Sequence, residues 1–239
     1  MAKHGKKYNA AMARIEPGKL YAPKAAFALL KEVSATTYDP TVDLAFRLGI
    51  DPRKADQMVR GAVGLPHGIG KTVRVAVIAG ATKAAEATAA GADMAGGAEL
   101  LEDIDALIAD IDSIIATPDM MGQLGRHGKV LGPRGLMPNP KSGTVTMDVA
   151  KAVGEIKAGR VEYRSDRNGN VHTVLGKASF TVDQLLENYE AMLEEMMRQR
   201  PSAAKGRYLR AASISTSASP AVPVDPAKSR DLLEDDEDA

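Results

Sequence analysis

A chain of 239 residues, 44% hydrophobic and 26% charged, can bury a sizeable core as one large domain or two small ones, which excludes a wholly disordered protein. The absence of Cys excludes a disulfide scaffold, thiolate zinc sites and cysteine catalysis, and fits a reducing compartment. The formal net charge of +0 conceals an uneven distribution: residues 1–71 sum to +6, 72–160 to −2, 161–230 to +2 and 231–239 to −6.

The basic N-terminus, MAKHGKKYNAAMARIE, is not followed by the apolar run of a secretory signal. In PKAAFALLKEV, Phe27, Leu30 and Val33 fall on one helical face, and the turn-like TTYDP leads into VDLAFRLGI. There Val42, Leu44, Phe46 and Leu48 alternate with Asp43, Ala45 and Arg47, as in a sheet with one buried face. The segment DPRKADQMVRGAVGLPHGIGK leads by a Gly/Pro-rich link to a stretch of different composition. Beyond it, the apolar strand VRVAVIA and the Ala-rich helix TKAAEATAA set the βα rhythm of a parallel sheet. Arg74, Lys83 and Glu86 interrupt this stretch well short of the roughly 20 apolar residues that a membrane span needs, so the expectation is a soluble, cytoplasmic protein with no membrane contact. AELLEDIDALIA is a second helix candidate and DSIIATP a second buried strand.

After another Gly/Pro-rich loop, Asp148 is placed to cap a helix with Val149, Ala152, Val153 and Ile156 on one face. VEYRS and VHTVL flank DRNGN, where Asn168-Gly169 suits a hairpin turn. Thr181 and Gln184 predict a capping box for a helix whose stripe includes Tyr189, Met192 and Met196 and which Pro201 ends. The Met stripe reads as core. The strand YLRAASIST precedes a Pro/Ser-rich stretch and the tail DLLEDDEDA, which is too charged and short to fold. The expected fold class is therefore α/β with two domains. One is a discontinuous α+β domain built from both termini (1–71 and 161–230), the other an inserted Rossmann-like three-layer domain (72–160), and 231–239 is a disordered acidic tail.

Enzymatic signals are missing. HGIGKT resembles the end of a phosphate-binding loop, but the first glycine of that motif would stand at position 65, where Leu65 is found, and the loop precedes a strand instead of following one. IAGATKAAEA lacks the dinucleotide fingerprint. His4, His67, His127 and His172 are too scattered for a metal motif or a catalytic pair, so neither cofactor nor metal is expected. Taken alone, the charge balance reads as an ordinary solvated surface, and a phosphate-ligand-binding or enzymatic α/β domain in the middle third is the competing reading.

GKVLGPRGLMPNPKSGTVTMDVAKAV, residues 128–153, resembles the signature of the bacterial large-subunit ribosomal protein L-one family, the protein of the mobile ribosomal stalk. The similarity continues through GKLYAPKAAFALLKE, LGIDPRKADQMVRG, LPHGIGK, AGAD, IATPDMMG and GKASF. This resemblance implies a non-enzymatic, two-domain protein, monomeric outside the ribosome. Its partners would be large-subunit ribosomal RNA, transfer RNA leaving the exit site and the protein's own messenger RNA. It also implies an RNA surface chiefly on the discontinuous domain, in keeping with the charge map. The family's RNA-contacting positions correspond to Tyr38 and Thr41, to His172 of the hairpin, and to Lys177 and Ser179 of GKASF. Ser215 and the Ser217-Ala218-Ser219 run complete the set. The family carries Thr-Met-Gly at the last three positions, so Ala218 lacks the Met packing surface and Ser219 adds a side chain where Gly permits close backbone approach. By spacing alone, Ser213, Ser215 and Ser217 would simply face solvent on a strand.

Overall fold

The computed structural model describes residues 5–34, 36–101 and 108–227. In chain order it contains helices α1 (Lys6–Met12) and α2 (Pro23–Val33), strands β1 (Thr41–Leu48), β2 (Arg60–Gly64) and β3 (Val75–Ile78), and helix α3 (Ala81–Ala89). Strands β4 (Met94–Gly96) and β5 (Ser113–Ala116), helix α4 (Val149–Lys157) and strands β6 (Arg160–Arg164) and β7 (Asn170–Lys177) follow. Helix α5 (Val182–Arg198) and strands β8 (Leu209–Thr216) and β9 (Val222–Val224) come last, and short helical turns occupy the stretch between β5 and α4. Internal contacts divide the chain into two compact units: the residues up to Gly70 together with those from Tyr163 onward, and Lys71–Glu162.

In the first unit β7, β1, β8 and β9 form, in that order, an antiparallel sheet. Strict alternation makes β1 one-sided: Val42, Leu44, Phe46 and Leu48 are buried, and the intervening side chains lie on the opposite, accessible face. Helices α2 and α5 contribute to the core beneath the buried face. Pro23 opens α2, where a missing N–H costs nothing, and Phe27, Leu30 and Val33 are buried as their spacing predicts. The expected capping box starts α5. Thr181 Oγ1 accepts from the Gln184 amide at 3.2 Å, and Gln184 Oε1 accepts from the Thr181 amide at 3.0 Å. Met192 and Met196 are fully buried in this core.

Two features depart from the sequence-based expectation. The hairpin at DRNGN is confined to its turn: Gly169 adopts φ +78° and Asp166 Oδ1 accepts from the amides of Asn168 (2.8 Å) and Asn170 (2.7 Å). Only Ser165 and Val171 bridge across it, because β6 pairs with β2 while β7 joins β1, where Val171 and Leu175 reach the core. β2 lies in the segment that leads to the Gly/Pro-rich link, where the sequence suggests no strand. Gly61 and Gly64 deprive RGAVG of an alternating signal, and Gly61 is required by packing, since a Cβ there would stand 2.5 Å from Tyr163 Oη.

In the second unit β3 is the central strand of a parallel sheet of order β4-β3-β5. Both faces are buried, which is why VRVAVIA reads as a continuous apolar run. Val75 and Val77 pack with Ala87 of α3 and with Val149, Val153 and Ile156 of α4, whereas Ala76 and Ile78 pack with Leu101, Leu124 and Leu131. The Asp148 carboxylate caps α4 by accepting from the Lys151 amide at 3.3 Å. Of the helix expected over 98–109, Ala98–Leu101 forms a 3₁₀ turn and residues 102–107 lie outside the described residues, as does the acidic tail 231–239. Among the described residues no helix is long and apolar enough to cross a membrane.

Candidate nucleic-acid interface

The accessible face of the four-stranded sheet follows from its register. Asn170, Arg47 and Ala211 form one row, His172, Ala45 and Ser213 the next, and Val174, Asp43 and Ser215 a third. At the end of the face Thr41 stands opposite Lys177, whose Nζ donates to Thr41 Oγ1 at 3.0 Å, and the Ser217 amide donates to Thr41 O at 3.2 Å. Thr41, Lys177 and Ser217, widely separated in sequence, thus meet at one corner, with Ser215 in the adjoining row and His172 exposed one row further along.

Tyr38 lies in the turn before β1 and is 58% exposed. That turn is joined to the GKASF loop by Asp39, whose carboxylate accepts from the Ser179 amide at 2.9 Å and from Ser179 Oγ at 2.8 Å. The Ala178 amide donates to Pro40 O at 2.9 Å alongside it. The Ser179 hydroxyl is therefore committed to the protein, and its part in the surface is to hold Tyr38's turn against Lys177's loop.

The turn after β8 is tightly closed. The amides of Ala218 and Ser219 both donate to Thr216 O, at 2.8 and 3.0 Å. Ser219 Oγ accepts from the Thr216 amide at 2.9 Å and donates to Pro220 O at 3.1 Å, so this side chain points into the turn and ties it shut. The unusual backbone is at Ala218, where φ is +146°, one residue before the position at which the family's motif has its glycine. A Cβ in that region is strained by about 1–3 kcal/mol. Ala218→Gly is accordingly expected to stabilise the protein by about 1 kcal/mol after the added unfolded-state entropy is subtracted. The thermal midpoint should rise by roughly 2–4 °C. An unchanged or lower midpoint in a calorimetric scan would show that the turn stores no such strain.

Spacing did not point to Asp39, Asp43, Arg47 or Asn170. Asp43 and Arg47 were legible as the outward positions of β1, but nothing in their spacing marked these two residues as part of a site. Burial is the main influence that holds the Asp43 carboxyl above its ordinary range, with Lys177 and His172 pulling the other way. Among the described residues no group of His, Asp and Glu is arranged to hold a metal ion.

The model of the ribosomal protein L1p/L10e family matches residues 30–220, a span that includes every position from Tyr38 to Ser219. The chain belongs to this family. A Streptomyces coelicolor protein named large ribosomal subunit protein uL1 is 55% identical to it over 239 residues, covering 100% of this chain and 99% of that protein. A Rhodococcus erythropolis protein of the same name is 56% identical over 239 residues and covers 100% of both. A Frankia alni relative, again of that name, is 55% identical over 233 residues, or 98% of each chain. The L1 family is one of structural, non-enzymatic ribosomal proteins, which accounts for the lack of catalytic spacing around His67, His127 and His172.

Proposed function

We propose that this protein is a structural constituent of the large ribosomal subunit and binds large-subunit ribosomal RNA through the accessible face of its four-stranded sheet. The observation that carries the reading is the corner where Lys177, Thr41 and Ser217 converge beside Ser215. Small hydroxyls and backbone groups suit the shallow minor groove and irregular folds of RNA, where 2′-hydroxyls are read, and a flanking Lys suits the phosphates. In this reading residues 1–71 and 161–230 form the RNA-binding domain and 72–160 the Rossmann-like insertion. The resemblance supports two further roles: helping deacylated transfer RNA to leave the exit site, and repressing translation of the protein's own messenger RNA. It also supports a monomer outside the ribosome.

Titration of the full chain with large-subunit ribosomal RNA over a range of salt tests the main reading. Lys177→Ala should weaken binding on the order of tenfold and make the log–log salt dependence shallower by roughly 0.7–0.9, the value of one phosphate contact. The same titration with deacylated transfer RNA and with the chain's own messenger leader tests the two finer roles. Nucleotide-induced thermal stabilisation with no affinity for RNA would favour a phosphate-ligand-binding α/β protein instead.

A further inference from the structure

The outward side of α5 carries a charge pattern in which the accessible sheet face has no part. Asp183, Glu187, Glu190 and Glu194 succeed one another at helical spacing, so they form one stripe roughly 16 Å long. Glu187 Oε2 lies 2.6 Å from His67 Nε2, whereas the carboxylates of Asp183, Glu190 and Glu194 have no hydrogen bond or ion pair among the described residues. Arg198, further along the helix, pairs with Glu195 instead. Burial, together with the neighbouring Glu187 and Glu194, holds the Glu190 carboxyl above its ordinary range, as expected where like charges face no counter-ion.

Beside this stripe runs a groove of about 1040 Å³. Leu186, Leu193 and Met197 line it from the adjoining row of α5, and Tyr208, Leu209 and Pro226 line the other wall. Met197 is 51% exposed there, a large apolar side chain left on the surface. Tyr208 is buried and its hydroxyl has no hydrogen-bond partner among the described residues, so the wall keeps an unused donor where buried hydroxyls are normally bonded. The two cations of the groove are committed to its own backbone: Arg200 Nη2 donates to Gly206 O at 3.1 Å, and Arg207 Nε donates to Leu209 O at 3.1 Å. A stripe of carboxylates repels RNA, and among the described residues no acidic side chains converge on a point where a metal ion would sit. A small polyamine would match the charges but leave the apolar row uncovered. A helix with a basic row beside an apolar one matches both, because it shares the pitch of α5. α5 covers the buried face of the sheet, so its outward side is turned away from the face assigned to RNA.

We propose that this groove docks a basic amphipathic helix of another protein, with Lys or Arg side chains over Asp183, Glu190 and Glu194 and apolar side chains against Leu193 and Met197. The site goes beyond RNA binding and does not depend on it. The test titrates the full chain, followed by fluorescence anisotropy, against a labelled synthetic peptide with Lys at i, i+4, i+7 and i+11 and Leu on the adjoining row. The variant Asp183→Asn/Glu190→Gln/Glu194→Gln should bind this peptide on the order of tenfold more weakly at low salt, with ribosomal RNA affinity at the parental value. Met197→Gln, which removes no charge, should weaken peptide binding roughly fivefold. A matched variant, Glu32→Gln/Asp119→Asn/Glu162→Gln, removes the same formal charge from exposed positions elsewhere and should bind the peptide as the parent does. All the replaced side chains are exposed or half-buried, so the fold is retained, as an unchanged circular dichroism spectrum would verify. Equal losses in the two triple variants, or equal affinity for a peptide of the same composition in scrambled order, would reduce the effect to net charge and overturn the proposal. Parental affinity in Met197→Gln, or mole-for-mole competition by spermine, would leave a charge-only site for small polycations and overturn it too. Binding seen only after deletion of residues 228–239 would make the chain's own tail the occupant, and a parent that does not bind the peptide in either form would leave the groove without the proposed partner.

Discussion

Replacing Asn188 by Leu is expected to lower the stability of the protein by about 3–5 kcal/mol, seen as a large fall in the urea midpoint with the slope of the transition little changed. Asn188 is fully buried in α5 and uses both ends of its amide. Its Oδ1 accepts from the His67 amide at 3.1 Å, and its Nδ2 donates to Gly68 O at 3.0 Å and to Leu175 O at 2.7 Å. One side chain thereby fixes the loop after β2 and the end of β7 to the helix. Leu matches the shape but leaves a donor and two acceptors without partners, each orphan costing roughly 1–3 kcal/mol. The loop at His67 and Gly68 is only partly buried, so water recovers some of this, which is why the expected loss is below the full sum. His67 Nε2 lies 2.6 Å from the Glu187 carboxylate, a second tie that keeps the loop nearby. Amide exchange at His67 should accelerate more than exchange in the centre of β3. A loss under 1 kcal/mol would mean that the loop finds other partners when Asn188 is gone.

Asn188 also shows how much of the molecule is legible from sequence. The stripe of α5 is visible by its 3.6-residue period, and Asn188 stands inside it next to Tyr189, a polar residue on a buried face. That position announces an internal hydrogen-bonding role, yet its partners, 120 residues away in the loop and at Leu175, cannot be read from spacing. The same holds across the fold. β1, β8, α2 and α4 declare themselves because apolar periodicity reports which face is buried. β2 and β4 are short, rich in Gly or Ala, and kept in place by neighbours, so they leave no such record. In the candidate site, Lys177 meets Thr41 across 136 residues and Ser179 meets Asp39 across 140, through strand register that no local pattern encodes. The strained turn was hidden for a different reason: Ala218 occupies a backbone conformation that favours glycine, so the residue usually relied on to mark it is absent.

Ser217→Val is expected to weaken binding of the ribosomal RNA by roughly ten- to a hundredfold, equivalent to about 1–3 kcal/mol, with little change in stability. Ser217 is exposed at the end of β8, and among the described residues its hydroxyl has no hydrogen-bond partner. Its amide is already used by Thr41 O, so Ser217 is held at Thr41, whose hydroxyl Lys177 also contacts, while its own hydroxyl remains available. Within the turn the other hydroxyls are not available in this way: Ser219 Oγ is spent on Thr216 and Pro220, and Thr216 is 4% exposed. Valine is tolerated at an exposed strand end, so the fold survives, but a ribose 2′-hydroxyl facing it would lose its partner on burial. Ser217→Thr keeps the hydroxyl and should bind like the parent, which separates loss of the group from a change in bulk. Ser219→Ala should behave differently, lowering stability by about 1–2 kcal/mol through the orphaned Thr216 amide and affecting RNA affinity through a looser turn. If Ser217→Val binds as tightly as the parent while Tyr38→Ala or Lys177→Ala abolishes binding, the RNA is held from the β7 side of the face. The turn after β8 would then be a structural closure of the sheet, with its strain at Ala218 unrelated to recognition.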